Sequence, residues 1–222
     1  MFLALTCSMS GDQPGAAELL AEVLALARGA HPYVETFSLF FAARLAMLNR
    51  DPVKADQHAT RGAELARGSG FPLAEGLSSA IRGWALSQQH DPDAGLAILV
   101  ESISRVRATG ARMLDAFLMT LLAEAQIAAG RSDEALATIR QALADLESSG
   151  AGIYEAELHR LHGELLAGRS GSATKAGVCF RRAIAVAREQ GAVLFERRAE
   201  ESLATLGAAS AMAAEKAPGA AL

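Results

Sequence analysis

The sequence predicts an all-α fold, an α-solenoid of about five antiparallel helix hairpins with a period of 40 or 41 residues. Three observations predict it. Small residues recur at Ala42, Gly83, Ala123, Gly163 and Ala204 in the first helix of each hairpin and at Ala55, Gly95, Ala135 and Ala176 in the second, with Gly62, Ser102, Ala142 and Ala183 seven residues on. Gly70, Gly110, Gly150 and Gly191 close the second helices, and an apolar residue follows each boundary at Leu73, Met113, Ile153 and Leu194, with Tyr33 in the earlier copy. Finally, every long segment between these marks carries apolar residues at helical spacing, and none alternates as a strand would. Small residues at a fixed period mark close helix contacts, through which each hairpin buries its apolar face against its neighbours.

The segment Leu121 to Gly150 shows one hairpin whole. Gly130 breaks the first helix, Ser132 and Asp133 are placed to cap the second, and Ala135, Ile139 and Ala142 form an apolar stripe that ends at Gly150. In chain order, Met1 to Ser10 (MFLALTCSMS) has no positive n-region, too short an apolar run for export and a poor small residue, Thr6, before Cys7. Ser10 lies three periods before Gly130, so the segment is read as the end of a first helix and the chain as starting mid-repeat. Pro14 to Arg28 is its partner, with Asp12 as a start signal. Pro32 to Leu48 pairs with Pro52 to Arg67, Phe71 to Gln89 with Pro92 to Thr109, and Arg112 to Ala129 with Ser132 to Ser149. Prolines open several of these helices because a first-turn N–H has no intrahelical partner to lose. Gly152 to Ala167 pairs with Thr174 to Gln190 across the longer loop GRSGSAT, and Ala192 to Leu206 begins a sixth hairpin. The remainder, AASAMAAEKAPGAAL, is low in complexity and contains Pro218. The expectation is one domain over residues 1–206 and a frayed tail over 207–222.

A chain of 222 residues that is 51% hydrophobic and 5% aromatic has enough Ala and Leu for a long, thin core. A net charge of −4, with acids and bases interleaved, provides neither a basic footprint for nucleic acid nor a polybasic membrane patch. Direct nucleic-acid and membrane partners are not expected. Cys7 and Cys179 lie far apart without a secretory signature, so free thiols in the cytoplasm are expected.

The spacing around AAGRSDEALATIRQAL resembles a tetratricopeptide repeat, whose usual period is roughly 34 residues, here lengthened. RGWAL (Arg82 to Leu86), EAELHRLHGELL (Glu155 to Leu166) and CFRRAIAVAREQGA (Cys179 to Ala192) resemble the C-terminal repeat region of large bacterial signalling proteins. In those, an adenylate/guanylate cyclase-like or DNA-binding domain precedes a predicted signal-transduction ATPase of the STAND type, and helical repeats come last. The resemblance covers roughly residues 12 to 206. It implies a right-handed solenoid with a sensing or scaffolding role, and neither cyclase nor ATPase activity in this chain. The family usually completes the hairpin after the position of Leu206, and this chain departs from that.

Catalytic chemistry has little to rest on. The loop Gly168 to Lys175 (GRSGSATK) has glycines, hydroxyls and a lysine, yet lacks the spacing and the strand-to-helix setting of a phosphate-binding loop. His159 and His162, with Glu155, are spaced for one helix face, where a metal site is conceivable and a solvated face is the plainer reading. No Ser/His/Asp or Cys/His arrangement stands out. A non-enzyme without cofactor or bound metal is expected.

Two sets of residues are candidates for binding. Glu35, Glu75, Asp115, Glu155 and Glu196 recur every 40 or 41 residues in the first turns of the first helices. A carboxylate there gains roughly 0.3–1 kcal/mol from unpaired N–H groups and the helix dipole, and the same acids would form a ladder open to a basic partner. The tetratricopeptide resemblance implies that the first helices line a concave surface, where Trp84, Glu124 and Glu164 would project beside the small positions, with Arg160 one turn from Glu164. A lone Trp at such a site packs into a neighbouring helix or waits for a ligand. The basic and amide clamp that some tetratricopeptide domains use for a peptide carboxylate is not evident.

Two functions fit. One is a non-catalytic module that binds a protein, a peptide or a small effector. The other is the sensor end of a cyclase-like or ATPase regulator whose enzymatic domains lie elsewhere. Self-association through the terminal repeats is also expected, because Met1 to Leu5 reads as an apolar half-helix and Leu194, Phe195 and Leu203 as only partly covered.

Overall fold

The computed structural model describes residues 1–89, 91–149 and 152–215. Every regular element among them is an α-helix: α1 (Phe2–Met9), α2 (Gln13–Ala27), α3 (Pro32–Leu48), α4 (Pro52–Ser69), α5 (Pro72–Ser87), α6 (Pro92–Ala108), α7 (Asp115–Ala128), α8 (Ser132–Ser149), α9 (Glu155–Ala167), α10 (Ala173–Glu189) and α11 (Val193–Glu215). The all-α expectation is met, with no strand among the described residues.

The helices group into two compact units, Met1–Thr138 and Ile139–Leu222, divided within α8. The reading of one domain over residues 1–206 does not mark that division. In the first unit each helix packs on the next from α1 to α7, and α3 also packs on α1 and α5, as α5 does on α7. In the second, α9, α10 and α11 pack on one another. Within each unit, therefore, an odd-numbered helix touches the next odd-numbered helix: α1 on α3, α3 on α5 and α5 on α7 in the first, α9 on α11 in the second.

Local signals account for the boundaries. Asp12, Asp51 and Asp91 accept hydrogen bonds from the backbone N–H groups of Gly15, Lys54 and Ala94 at 2.9, 3.0 and 3.0 Å, and proline stands in the first turn after each. Gly70, Gly110 and Gly191 take left-handed φ values of 73°, 82° and 64° at helix ends; Gly150 lies outside the described residues. α7 and α9 begin three residues later than expected, because neither start carries an Asp-Pro signal and residues 112–115 and 152–155 close as turns instead. α11 runs nine residues past Leu206, to Glu215, so 207–215 is helical where a frayed tail was expected. Its alanine-rich composition carries high helix propensity.

Close approach falls at the periodic small residues. Ala42, Ala55, Ala123, Ala135 and Ala176 are fully buried. A Cβ added to Gly83 would sit 2.8 Å from the carbonyl oxygen of Gly95, and one added to Gly95 would sit 2.5 Å from that of Gly83, so α5 and α6 meet backbone to backbone. Ala204 is exposed instead, since among the described residues no further helix covers that face of α11. Leu194 and Phe195 also depart from expectation: both are buried, Phe195 with its ring 5.7 Å from that of Tyr154. α9 and α10 cover them without a complete sixth hairpin.

Candidate functional site

Trp84 on α5 and Glu124 on α7 meet inside the first unit. The indole N–H donates to Glu124 Oε2 at 2.5 Å, and the same oxygen accepts from the Arg50 guanidinium, in the turn after α3, at 2.6 Å. Trp84 is 1% exposed and Glu124 9%. A carboxylate this deep requires partners to offset its lost hydration, and here an indole and a guanidinium supply them. Arg44 of α3 lies beside this region, its guanidinium 4.9 Å over the Phe117 ring.

Arg160 and Glu164 meet in the second unit, bonded to each other across one turn of α9. Arg160 also grips Glu157 with two bonds, of 2.9 and 2.8 Å, and Arg198 of α11 reaches Glu157 at 3.3 Å. Ser202 donates to Glu164 at 3.1 Å. Glu157, 2% exposed, is the anchor of this cluster, and sequence reasoning passed it over. Its signal was present: acid, base and acid at i, i+3 and i+7 in EAELHRLHGELL, with Arg198 one repeat on. The four proposed concave-face residues thus form two pairs, one in each unit: Trp84–Glu124 joins α5 to α7, and Arg160–Glu164 lies within α9.

The five periodic acids all stand in the first turns of odd-numbered helices, and each is met by arginine. Glu35 takes Arg61 at 3.1 Å, Glu75 takes Arg67 at 2.9 Å and Arg105 at 3.3 Å, Glu155 takes Arg182 at 3.2 Å, and Glu196 takes Arg188 at 2.5 Å. Asp115 lies 3.6 Å from both Arg107 and Arg112, an ion-pair distance beyond hydrogen-bond range. Glu196 and Glu200 in turn raise the Arg188 pKa. Sequence reasoning found the acids and missed these arginines. Three of them stand eight residues before their acid, Arg67 before Glu75, Arg107 before Asp115 and Arg188 before Glu196, a spacing that straddles the turn between an even-numbered and an odd-numbered helix. The acids therefore tie neighbouring helices together.

His159 lies 3.8 Å from Glu155, but Arg182 occupies the same carboxylate. Burial, then the charges of Arg182 and His162, push the His159 pKa down to about 4, and a metal cation would meet the same opposing guanidinium. No group of three or more His, Cys, Asp or Glu is set to hold a metal among the described residues. The loop GRSGSATK joins α9 to α10 with a helix on both sides and turns at Gly171, φ 72°. Cys7 and Cys179 form no disulfide, and burial pushes the Cys179 thiol up. No described helix is long and apolar enough to cross a membrane.

No family profile matches the sequence. The chain is similar to an uncharacterized protein of Rhizobium meliloti (strain 1021), 27% identical over 207 residues that cover 92% of this chain. It spans only about a fifth, 20%, of that relative's length.

Proposed function

We propose that this chain is a non-catalytic interaction module, a right-handed, tetratricopeptide-like α-solenoid of about five hairpins that holds a protein or peptide partner in bacterial signalling or transcription regulation. The neighbour-to-neighbour packing of its helices supports the architecture. One observation carries the binding role: an exposed apolar side chain recurs where odd-numbered helices begin. Tyr33 is 51% exposed and Met113 91% in the first unit, and Ile153 is 48% and Val193 47% exposed in the second. Leu73 at the start of α5 is half-buried; in each unit the exposed apolar groups mark a surface a partner can cover, and methionine suits such surfaces because it adapts its shape. The buried Trp84–Glu124 pair and the Glu157 cluster with Arg160 and Arg198 serve in this reading to hold α5 on α7 and α9 on α11. A photo-crosslinking residue at Tyr33 or Met113 in the source cell should capture a discrete partner, while the same probe at exposed Val100 on α6 should not. Equal capture from all three, or from none, contradicts the assignment.

The length of the relative favours a second reading. A segment like this one makes up a fifth of a far longer protein, which suits the sensor region of a cyclase-like or ATPase regulator that binds a small effector and controls separate enzymatic domains. An in-frame nucleotide-binding or cyclase-like domain encoded upstream supports it, and an intact start signal directly before Met1 contradicts it.

A further inference from the structure

Where α2, α3 and α4 meet in the first unit, they enclose a cavity of about 170 Å3. Its lining divides by exposure. Ala27 and Leu39 are buried and, with half-buried Leu24, make an apolar floor; Arg28 and Arg61 are exposed at the mouth, and Glu35 and His58 lie between. The sequence explains why this corner differs from its counterparts. At Glu75, Asp115 and Glu196 an arginine eight residues before the first-turn acid pairs with that acid, whereas Glu155 has Glu147 in that slot and takes Arg182. Before Glu35 that slot holds Ala27, and the arginine is displaced by one to Arg28. Arg28 also lies just past the last helical residue, as the C-cap of α2 with extended backbone, φ −63° and ψ 117°. Glu35 takes its guanidinium from Arg61 instead, and Arg28 borders the cavity with no carboxylate partner among the described residues.

Among the lining residues Arg61 is paired to Glu35, which leaves Arg28 as the cation in excess. Burial, and then Lys54, hold the His58 pKa below its ordinary value, so near neutral pH His58 offers a hydrogen bond rather than a second full charge. The volume equals about five or six waters at ~30 Å3 each, well under the roughly 300–1,000 Å3 of a drug-sized pocket. An anion with a short apolar tail matches both the rim and the floor.

We propose that this cavity binds a small monocarboxylate with a short alkyl chain, its carboxylate on Arg28 and His58 and its chain on Leu24, Ala27 and Leu39. The site is independent of the partner surface proposed above. Calorimetric titration of the full chain with sodium hexanoate tests it, with sodium butyrate, 1-hexanol and inorganic phosphate run in parallel. Hexanoate should bind saturably at one site and more tightly than the other three, and amide resonances of residues 24–28, 39 and 58 should shift. Arg28→Ala should weaken hexanoate about tenfold, the loss of roughly one charge-assisted hydrogen bond, while Arg131→Ala, in the turn between α7 and α8 and not among the lining residues, should leave it unchanged. Arg28 is exposed, so its removal should leave the helical circular dichroism intact. Absence of saturable hexanoate binding overturns the proposal, as does phosphate or hexanol binding as tightly as hexanoate, or an Arg28→Ala variant that binds like the parent.

Discussion

Arg50 is the one non-glycine among the described residues with a positive φ, 57°. Gly11 and Gly130 hold the equivalent position after α1 and α7, where glycine pays no steric penalty and an L side chain costs roughly 1–2 kcal/mol. The strain persists because the guanidinium reaches Glu124. Arg50→Ala keeps the strained backbone and loses the pair, so it should destabilise by about 1–3 kcal/mol. Arg50→Gly loses the same pair but relieves the strain, and should cost less. Urea midpoints for both variants check the order, and an alanine variant at least as stable as the glycine variant refutes it. His159 makes a second prediction. With a folded pKa of about 4 against 6.5 in the unfolded chain, it leaves the unfolded state binding the extra proton between those values, so stability should fall as pH drops through that window. The lowered pKa values of His58 and His162 act in the same direction. Melting temperatures from pH 7 to pH 4.5 should decline, and His159→Gln should flatten the decline; an unchanged slope would remove His159 from the account. At this scale the sequence showed which positions are equivalent between repeats, as with Trp84 and Glu124. Equivalence does not tell whether such side chains face solvent or each other, because direction depends on how far successive helices rotate about their axes.

Helix contacts were the most legible level. Ala123, Ala135, Gly83 and Gly95 are buried where their period places them, since a contact repeated down a stack needs a small residue at each copy. Ala123→Leu and Ala135→Leu should each destabilise by about 1–3 kcal/mol through overpacking. Gly83→Ala should be at least as severe, because its Cβ would meet backbone, which cannot rotate away. Melting curves of the three variants test this, and parent-like stability in all of them would place the contacts elsewhere. Glu157→Gln probes the polar counterpart. It would leave Arg160 and Arg198 without their buried counter-charge and should cost about 3–5 kcal/mol, as broken buried ion pairs do. The late starts of α7 and α9 and the extension of α11 were less legible, since start signals are absent from the first two and alanine-rich sequence is as compatible with helix as with a tail.

Within each unit, neighbouring helices are joined by three kinds of tie: small-residue contacts, first-turn acids held by arginines, and buried polar side chains between odd-numbered helices, Trp84 with Glu124 in the first and Glu157 with Arg198 in the second. A repeat protein is stabilised chiefly through such nearest-neighbour interfaces. Its exposed apolar groups are then available for association. Phe2 and Leu26 are 73% and 74% exposed, whereas Leu194 and Phe195, expected to be open, are buried. Light scattering over a concentration series should show mass rising above 23.1 kDa, and Phe2→Glu with Leu26→Glu should suppress the rise; a monomer at every concentration contradicts self-association through this end. The central claim is that side chains which resemble a waiting ligand site are ties between repeats. Trp84 and Glu124, 40 residues apart and 2.5 Å from atom to atom, test it most directly in a double-mutant cycle of Trp84→Phe and Glu124→Gln measured by urea denaturation. The account predicts a coupling of about 1–3 kcal/mol. Losses that simply add would mean the two residues do not hold α5 to α7.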